Sequence, residues 1–336
     1  MQYSYWIGIS LILAAGVMAG DCMLPLKLTR KWKWENTWLV FSLVSLVVLP
    51  WSLALIFVHH LFQVYSSLTT SQFAVPILFG AGWGIAQALF GVSIQRLGLA
   101  LAYAIVIGLG TLLGTLVPLF VQHRAQLDKT LLVEVLAGIL VMLTGIALSA
   151  WAGGVREHAQ EPAKSSPSAH YGTAVIVAVL CGILAPMLNY SFAFGQDIAR
   201  AAVRLGNPEA QAAYAVWPIG LAGGLVPNVG YSIYLLRRNR TGALFQFKVP
   251  DLFWATLMAI LWMGAVALYG VSATYLGQFG TSIGWGLFQI FMILAATITG
   301  LVTGEWKGAP RSARTILSLS ITCLVCATAL LANASR

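Results

Sequence analysis

The sequence predicts an all-α membrane protein, with ten transmembrane helices arranged as two inverted five-helix repeats. Three observations carry this prediction. Of 336 residues, 59% are apolar and 9% charged, with a mean hydropathy of +0.83, whereas soluble globular chains carry about 25% charged residues. Ten apolar stretches approach the roughly 20 residues that a ~30 Å hydrocarbon core requires. Residues 89–98 match residues 268–277 at six of ten positions (Leu-x-Gly-Val-Ser-x-x-x-Leu-Gly), and Trp83 pairs with Trp262 at the same offset of 179. The apolar count also excludes disorder, and four Cys are too few for a secreted disulfide scaffold.

The first stretch, 4–26, has no Lys or Arg before Lys27 and so lacks the basic lead of a signal peptide. Asp21 stands before Cys22, where a lipoprotein cleavage needs a small residue, so this helix is expected to remain in the mature chain. The second, 37–61, follows the alternating Lys, Trp and Glu of Arg30–Trp38, read as an interfacial anchor, and ends at the interfacial pair His59-His60. The third, 72–95, carries Trp83 and Gln87, and only Arg96-Leu97-Gly98 separates it from the fourth, 99–121, so the two are antiparallel. The fourth holds Tyr103 and a small-residue series, Gly108, Gly110 and Gly114, that permits close helix approach. The fifth, 131–152, bears Glu134 near its outer end.

A run containing Gly153-Gly154, Pro162 and Pro167 then reads as a cytoplasmic linker, 154–171, between a first repeat (1–153) and a second (172–336). The sixth stretch, 172–194, contains Pro186, Asn189 and Tyr190, with Asp197 beyond its outer end. The seventh, 210–236, contains Trp217, Pro218, Pro227 and Asn228. The eighth, 252–274, repeats the third; a fainter echo pairs Gly16 and Ala19 with Gly182 and Ala185. The ninth, 279–303, offers Ser282, Trp285 and Gln289. The tenth, 314–334, contains Cys323-x-x-Cys326, which in an apolar helix without further ligands reads as packing.

Arg124, Lys129, Arg200, Arg204 and Arg336 fall on the side of the termini, and the other fourteen of the 19 Lys and Arg fall opposite. The positive-inside rule then places both termini in the periplasm of a bacterial inner membrane. Topology thus accounts for the net charge of +9, and no nucleic-acid partner is expected. Five helices is an odd number, so the second copy enters upside down, an arrangement typical of secondary transporters with a midplane site.

Amides and hydroxyls beside flat rings suit a neutral polyhydroxylated ligand, and Trp83, Gln87, Tyr103, Asn189, Ser282, Trp285 and Gln289 are the candidate binding residues. Gln and Asn can equally serve to bond helices together. A mid-span carboxylate costs roughly 2.5–3.5 kcal/mol on insertion scales, so Asp21 is either a proton-coupling group or a helix-end cap or partner for Lys27. Glu134 and Asp197 are further proton-coupling candidates. No metal, cofactor, phosphate loop or catalytic set is expected.

At Lys31-Trp32-Lys33-Trp34-Glu35, Gly80-Ala81-Gly82-Trp83-Gly84-Ile85, Gly280-Thr281-Ser282-Ile283-Gly284-Trp285-Gly286-Leu287-Phe288 and Glu305-Trp306-Lys307-Gly308-Ala309, the chain resembles the bacterial L-rhamnose–proton symporter family of the drug/metabolite transporter superfamily. The resemblance runs from about residue 14 to 330. It implies ten helices in two inverted repeats with both ends periplasmic. It further implies uptake of a sugar with H+ through a cavity lined by helices three, four, eight and nine, with one and six. The expected partners are that sugar, H+ and the bilayer, for a monomer or weak dimer. An uncoupled carrier or exporter of another small metabolite is the alternative, and a membrane sensor or an enzyme of lipid-linked sugars a more distant one.

Overall fold

In hydrocarbon a backbone must satisfy its own N–H and C=O groups, so apolar stretches of this length coil. The computed structural model describes residues 2–124, 127–160, 171–246 and 249–334, and among these it holds helices and turns with no strand. Among the described residues ten spans are long and apolar enough to cross a bilayer: Ser4–Leu28, Trp34–Phe57, Thr70–Leu97, Leu99–Gln122, Lys129–Ala159, Tyr171–Arg204, Glu209–Asn239, Pro250–Tyr275, Ile283–Val302 and Arg311–Ala334. They are numbered one to ten in chain order. The chain is a multi-pass membrane protein, and Ile56, Leu78, Leu140 and Val226 are among the exposed apolar side chains of its lipid-facing rim. An even number of crossings leaves both ends on one face, the terminal face. The other, basic face carries most of the Lys and Arg.

Prolines explain most irregularities. The helix of span one stops at Asp21, and a 3₁₀ turn, Leu24–Leu28, starts around Pro25, which has no N–H to continue the ladder. A π turn, Val44–Val48, precedes Pro50 in span two. Span six is broken at Pro186 into Tyr171–Leu184 and Met187–Ala193, and continues as Gln196–Arg204. Span nine begins at Ile283, after a 3₁₀ turn over Gly277–Phe279. Span five stays helical to Gln160, past the expected boundary at 153. Residues 161–170 of the expected linker, with Pro162, Lys164 and Pro167, lie outside the described residues.

The packing has an internal symmetry. Span one lies against eight and nine, as span six lies against three and four; span two meets eight, as seven meets three; five meets ten, and four meets nine. Exchanging each span for the one five places along the chain maps this set of neighbours onto itself. Individual residues follow it. A Cβ on Gly16 would run into Phe291 of span nine, and one on Gly182 into Leu109 of span four. Trp83 and Trp262, matched by sequence offset, stack on each other with centroids 5.3 Å apart and planes at 19°.

The segment Arg30–Trp38 clasps the two halves together, where the sequence suggested an interfacial anchor. The Asp251 carboxylate, 1% exposed, accepts the backbone N–H groups of Arg30, Lys31 and Trp32 at 2.8–2.9 Å. Trp32 is buried and donates to the Leu244 carbonyl, and the Glu35 carboxylate takes Asn239 and Thr241. Trp34 keeps an exposed ring. A buried carboxylate needs such donors, and these come from both halves of the chain.

Candidate functional site

Two chambers lie within the bundle. The inner one, about 170 Å³, sits where spans one, three, four, six, eight and nine meet. Helical spacing builds its walls: Trp83 and Gln87 lie one turn apart on span three, as do Trp285 and Gln289 on span nine. Phe90, Trp262 and Phe288 complete the aromatic lining. The Trp285 indole donates to the Gly110 carbonyl at 3.3 Å, and it occupies the space that a Cβ at position 114 would need. Gln289 makes only a long 3.5 Å bond to the Thr111 hydroxyl, so its amide is loosely held beside the cavity.

The second chamber, about 870 Å³, opens on the terminal face between spans four, six, seven and eight, with Gln122, Gln196, Gln278, Arg200, Arg204 and Glu209 in its wall. His123 lies there edge-on to Phe279, and burial holds its imidazole below the usual histidine range. One layer separates the chambers. In it, Asn189 Nδ2 donates to the carbonyls of Gly114 (2.9 Å) and Thr281 (2.8 Å), while Asn189 Oδ1 accepts the Tyr269 hydroxyl (2.5 Å). Tyr269 packs on Phe192, which lines the outer chamber, and on Trp285, which lines the inner one.

Of the candidates named from sequence, Trp83, Gln87, Trp285 and Gln289 line the inner chamber. Asn189 belongs to the layer above it, with its amide taken up by protein partners. Ser282 is buried and donates to the Phe279 carbonyl at 3.1 Å. Tyr103, half-buried on span four, stands outside the chamber wall. The three carboxylates do not converge. Asp197 is ion-paired with Arg200 at 2.6 Å, and Glu134 is half-buried on span five, which lines neither chamber. Asp21 lies two residues past Ala19 of the chamber wall, and its Oδ1 is buried without a protein hydrogen bond. Lys27 pairs with Glu305 rather than with Asp21, and Glu305 also faces Arg156 at 3.9 Å.

Trp262, Phe90, Phe288 and Tyr269 were not among the sequence candidates for binding. The repeat offset that ties Trp262 to the candidate Trp83 was the signal that could have found one of them. Among the described residues no group of three metal-ligating side chains occurs, and Cys326 is exposed on span ten.

Residues 1–334 match the model of the family described as L-rhamnose-proton symport protein. The chain is also similar to the L-rhamnose-proton symporters of Escherichia coli O17:K52:H18 (strain UMN026 / ExPEC), at 26% identity, and of Shigella boydii serotype 18 (strain CDC 3083-94 / BS512), at 27%. Each of these alignments covers 97% of both chains.

Proposed function

The chain belongs to the L-rhamnose-proton symport protein family, and from that premise we propose that it carries L-rhamnose, or a closely related neutral deoxysugar, into the cell together with a proton. It is a transporter and not an enzyme. The observation that carries the sugar reading is the inner chamber: aromatic faces with two loosely held amides, and no charged side chain in its wall among the described residues. Apolar sugar faces and a C6 methyl suit Trp83, Trp262 and Trp285; hydroxyls suit Gln87 and Gln289. At ~30 Å³ per water, the volume equals about five or six waters, the size class of one sugar ring.

Transport proceeds in this reading by rocking the half 1–153 against the half 172–336. The exchange symmetry of the contacts and the equivalent crossings at Gly16 and Gly182 support inverted repeats. The excess of Lys and Arg on the basic face supports a cytoplasmic position for it, with both termini periplasmic in the bacterial inner membrane. Asp21 is the proton-coupling carboxylate that this reading favours, because it follows the chamber-lining Ala19 by two residues on span one and one of its oxygens is buried without a protein partner. One proton moving down 100 mV contributes roughly 2.3 kcal/mol, or about 50-fold accumulation.

Proteoliposomes carrying the protein should concentrate labelled L-rhamnose to roughly that extent under an inward proton-motive force. Asp21→Asn should abolish accumulation yet keep counterflow. Absence of L-rhamnose uptake, with no competition by other deoxysugars, would refute the assignment. A second reading, an uncoupled carrier, is favoured by one observation: among the described residues no carboxylate lines the inner chamber. Counterflow that ignores a protonophore, with no accumulation in the unaltered protein, would select it.

A further inference from the structure

We propose that Tyr269 and Asn189 form the latch that closes the inner chamber to the terminal face, and that Phe90 and Met23 are their apolar counterparts for closing the basic face. This rests on the inverted-repeat transport reading above and identifies the positioning residues that reading leaves unnamed.

The latch is defined by where it stands and by how it is bonded. Asn189 and Tyr269 are 0% and 1% exposed. They join Gly114 of span four, the break in span six, span eight and the turn before span nine through three hydrogen bonds of 2.5–2.9 Å. Thr281, whose carbonyl accepts one of these bonds, lines the outer chamber, and Leu188, next to Asn189, lines the inner one. The layer between the chambers is therefore one side chain thick at this point. A ligand crossing it must part Tyr269 from Asn189.

The counterparts follow from the two sequence offsets. The 179-residue offset that matches Trp83 to Trp262 matches Phe90 to Tyr269. The 166-residue offset of Gly16 and Gly182 matches Met23 to Asn189. The two pairs stand in opposite conditions. Tyr269 and Asn189 are buried and bonded, whereas Phe90 lines the inner chamber and Met23 is 37% exposed. In this proposal the first pair is the closed end and the second the open end, the opposite states that the two ends of an alternating-access carrier take in turn. Exchanging the conformations of the two halves would bury Phe90 with Met23 and bring Tyr269 into the chamber wall.

The chemistry is unequal as well. A hydroxyl–amide bond in a dry layer must be broken to open the terminal face, while the Phe90–Met23 contact has only packing to lose. On the basic face the Lys27–Glu305 pair is solvent-exposed and adds little, and the Arg30–Trp38 clasp on Asp251 is already made in this conformation. The resting protein therefore favours the conformation open to the basic face.

The test places a cysteine at Ala185, a half-buried position in the inner chamber, in a full-length protein whose Cys22, Cys181, Cys323 and Cys326 are replaced by Ala. A membrane-impermeant thiol reagent is applied to right-side-out and to inverted vesicles, with and without L-rhamnose. Labelling should be faster from the basic face. Tyr269→Phe, which removes only the hydroxyl, should raise the terminal-face rate roughly fivefold, the factor for one lost hydrogen bond, and lower the basic-face rate. Unchanged rates in both preparations, with sugar-dependent protection retained, would overturn the latch and leave the transport reading intact. Faster labelling from both faces would also overturn it, since loosened packing has no direction. Labelling that L-rhamnose never alters, in a protein that takes up no sugar, would overturn the transport reading and the latch with it.

Discussion

The two chambers differ fivefold in volume, and only the outer one has charged side chains in its wall among the described residues. The outer one, about 870 Å³, mixes apolar groups such as Phe192 and Val203 with amides, His123 and ionic side chains that water and salt can screen. The inner one, about 170 Å³, is lined by indole and aliphatic groups with two amides. A polar contact is worth less among the screened ionic groups of the first than against the apolar walls of the second, which offer few substitute partners. On the proposed reading, selection of ligand falls to the smaller chamber and the larger one is a wet approach to it.

The largest effect that would break this contrast lies in the inner wall. Trp285→Ala removes a ring that both lines the chamber and packs on Tyr269. Loss of an aromatic anchor costs about 2 kcal/mol, so half-saturation for L-rhamnose uptake should rise about 30-fold. Uptake kinetics that match the unaltered protein would show that ligand does not reach this wall. Gly114→Ala sharpens the contrast by packing alone. Its methyl would meet the Trp285 indole, and overpacking of this kind costs typically 1–3 kcal/mol. A melting temperature several degrees lower, with poorer L-rhamnose uptake, is expected.

The smallest effect is in the outer chamber. His123 has its pKa lowered by burial, so as pH falls through the ordinary histidine value near 6.5 the unfolded chain takes up a proton before the folded one does. Stability rises with pH wherever the unfolded state binds more protons, and the melting temperature should therefore decline as pH drops below about 6.5. In His123→Gln that decline should be shallower. The effect is modest, since the ring is only partly buried and Arg200, Arg204 and Glu209 share its surroundings. L-rhamnose affinity should be the same in both proteins at neutral pH.

The sequence made the frame legible because lipid enforces it. Apolar runs of bilayer length leave few alternatives, and the Leu-x-Gly-Val-Ser match marked spans three and eight as repeat equivalents; that Trp83 and Trp262 stack is seen only in the structure. Side-chain roles were harder to read. Asn189 and Gln289 carry the same amide and both lie within spans, yet one is consumed by three protein bonds and the other faces a chamber. Nothing local in the sequence separates them, since the difference arises from a Pro186 break that turns Asn189 toward Thr281 and Tyr269. Lys27 is likewise only six residues from Asp21, but its ion partner, Glu305, is 278 positions away. Trp32 and Glu35 had the composition of an interfacial anchor, and the distant Asp251 and Asn239 drew the segment into a clasp instead.

The central claim, that the inner chamber is the sugar site, is tested most directly by the melting temperature of the purified protein with and without L-rhamnose, measured beside Trp285→Ala and Arg204→Ala. A ligand that binds the folded state raises that temperature with its occupancy. The account predicts a rise in the unaltered protein and in Arg204→Ala, and none in Trp285→Ala. A rise that survives Trp285→Ala and disappears in Arg204→Ala would contradict it.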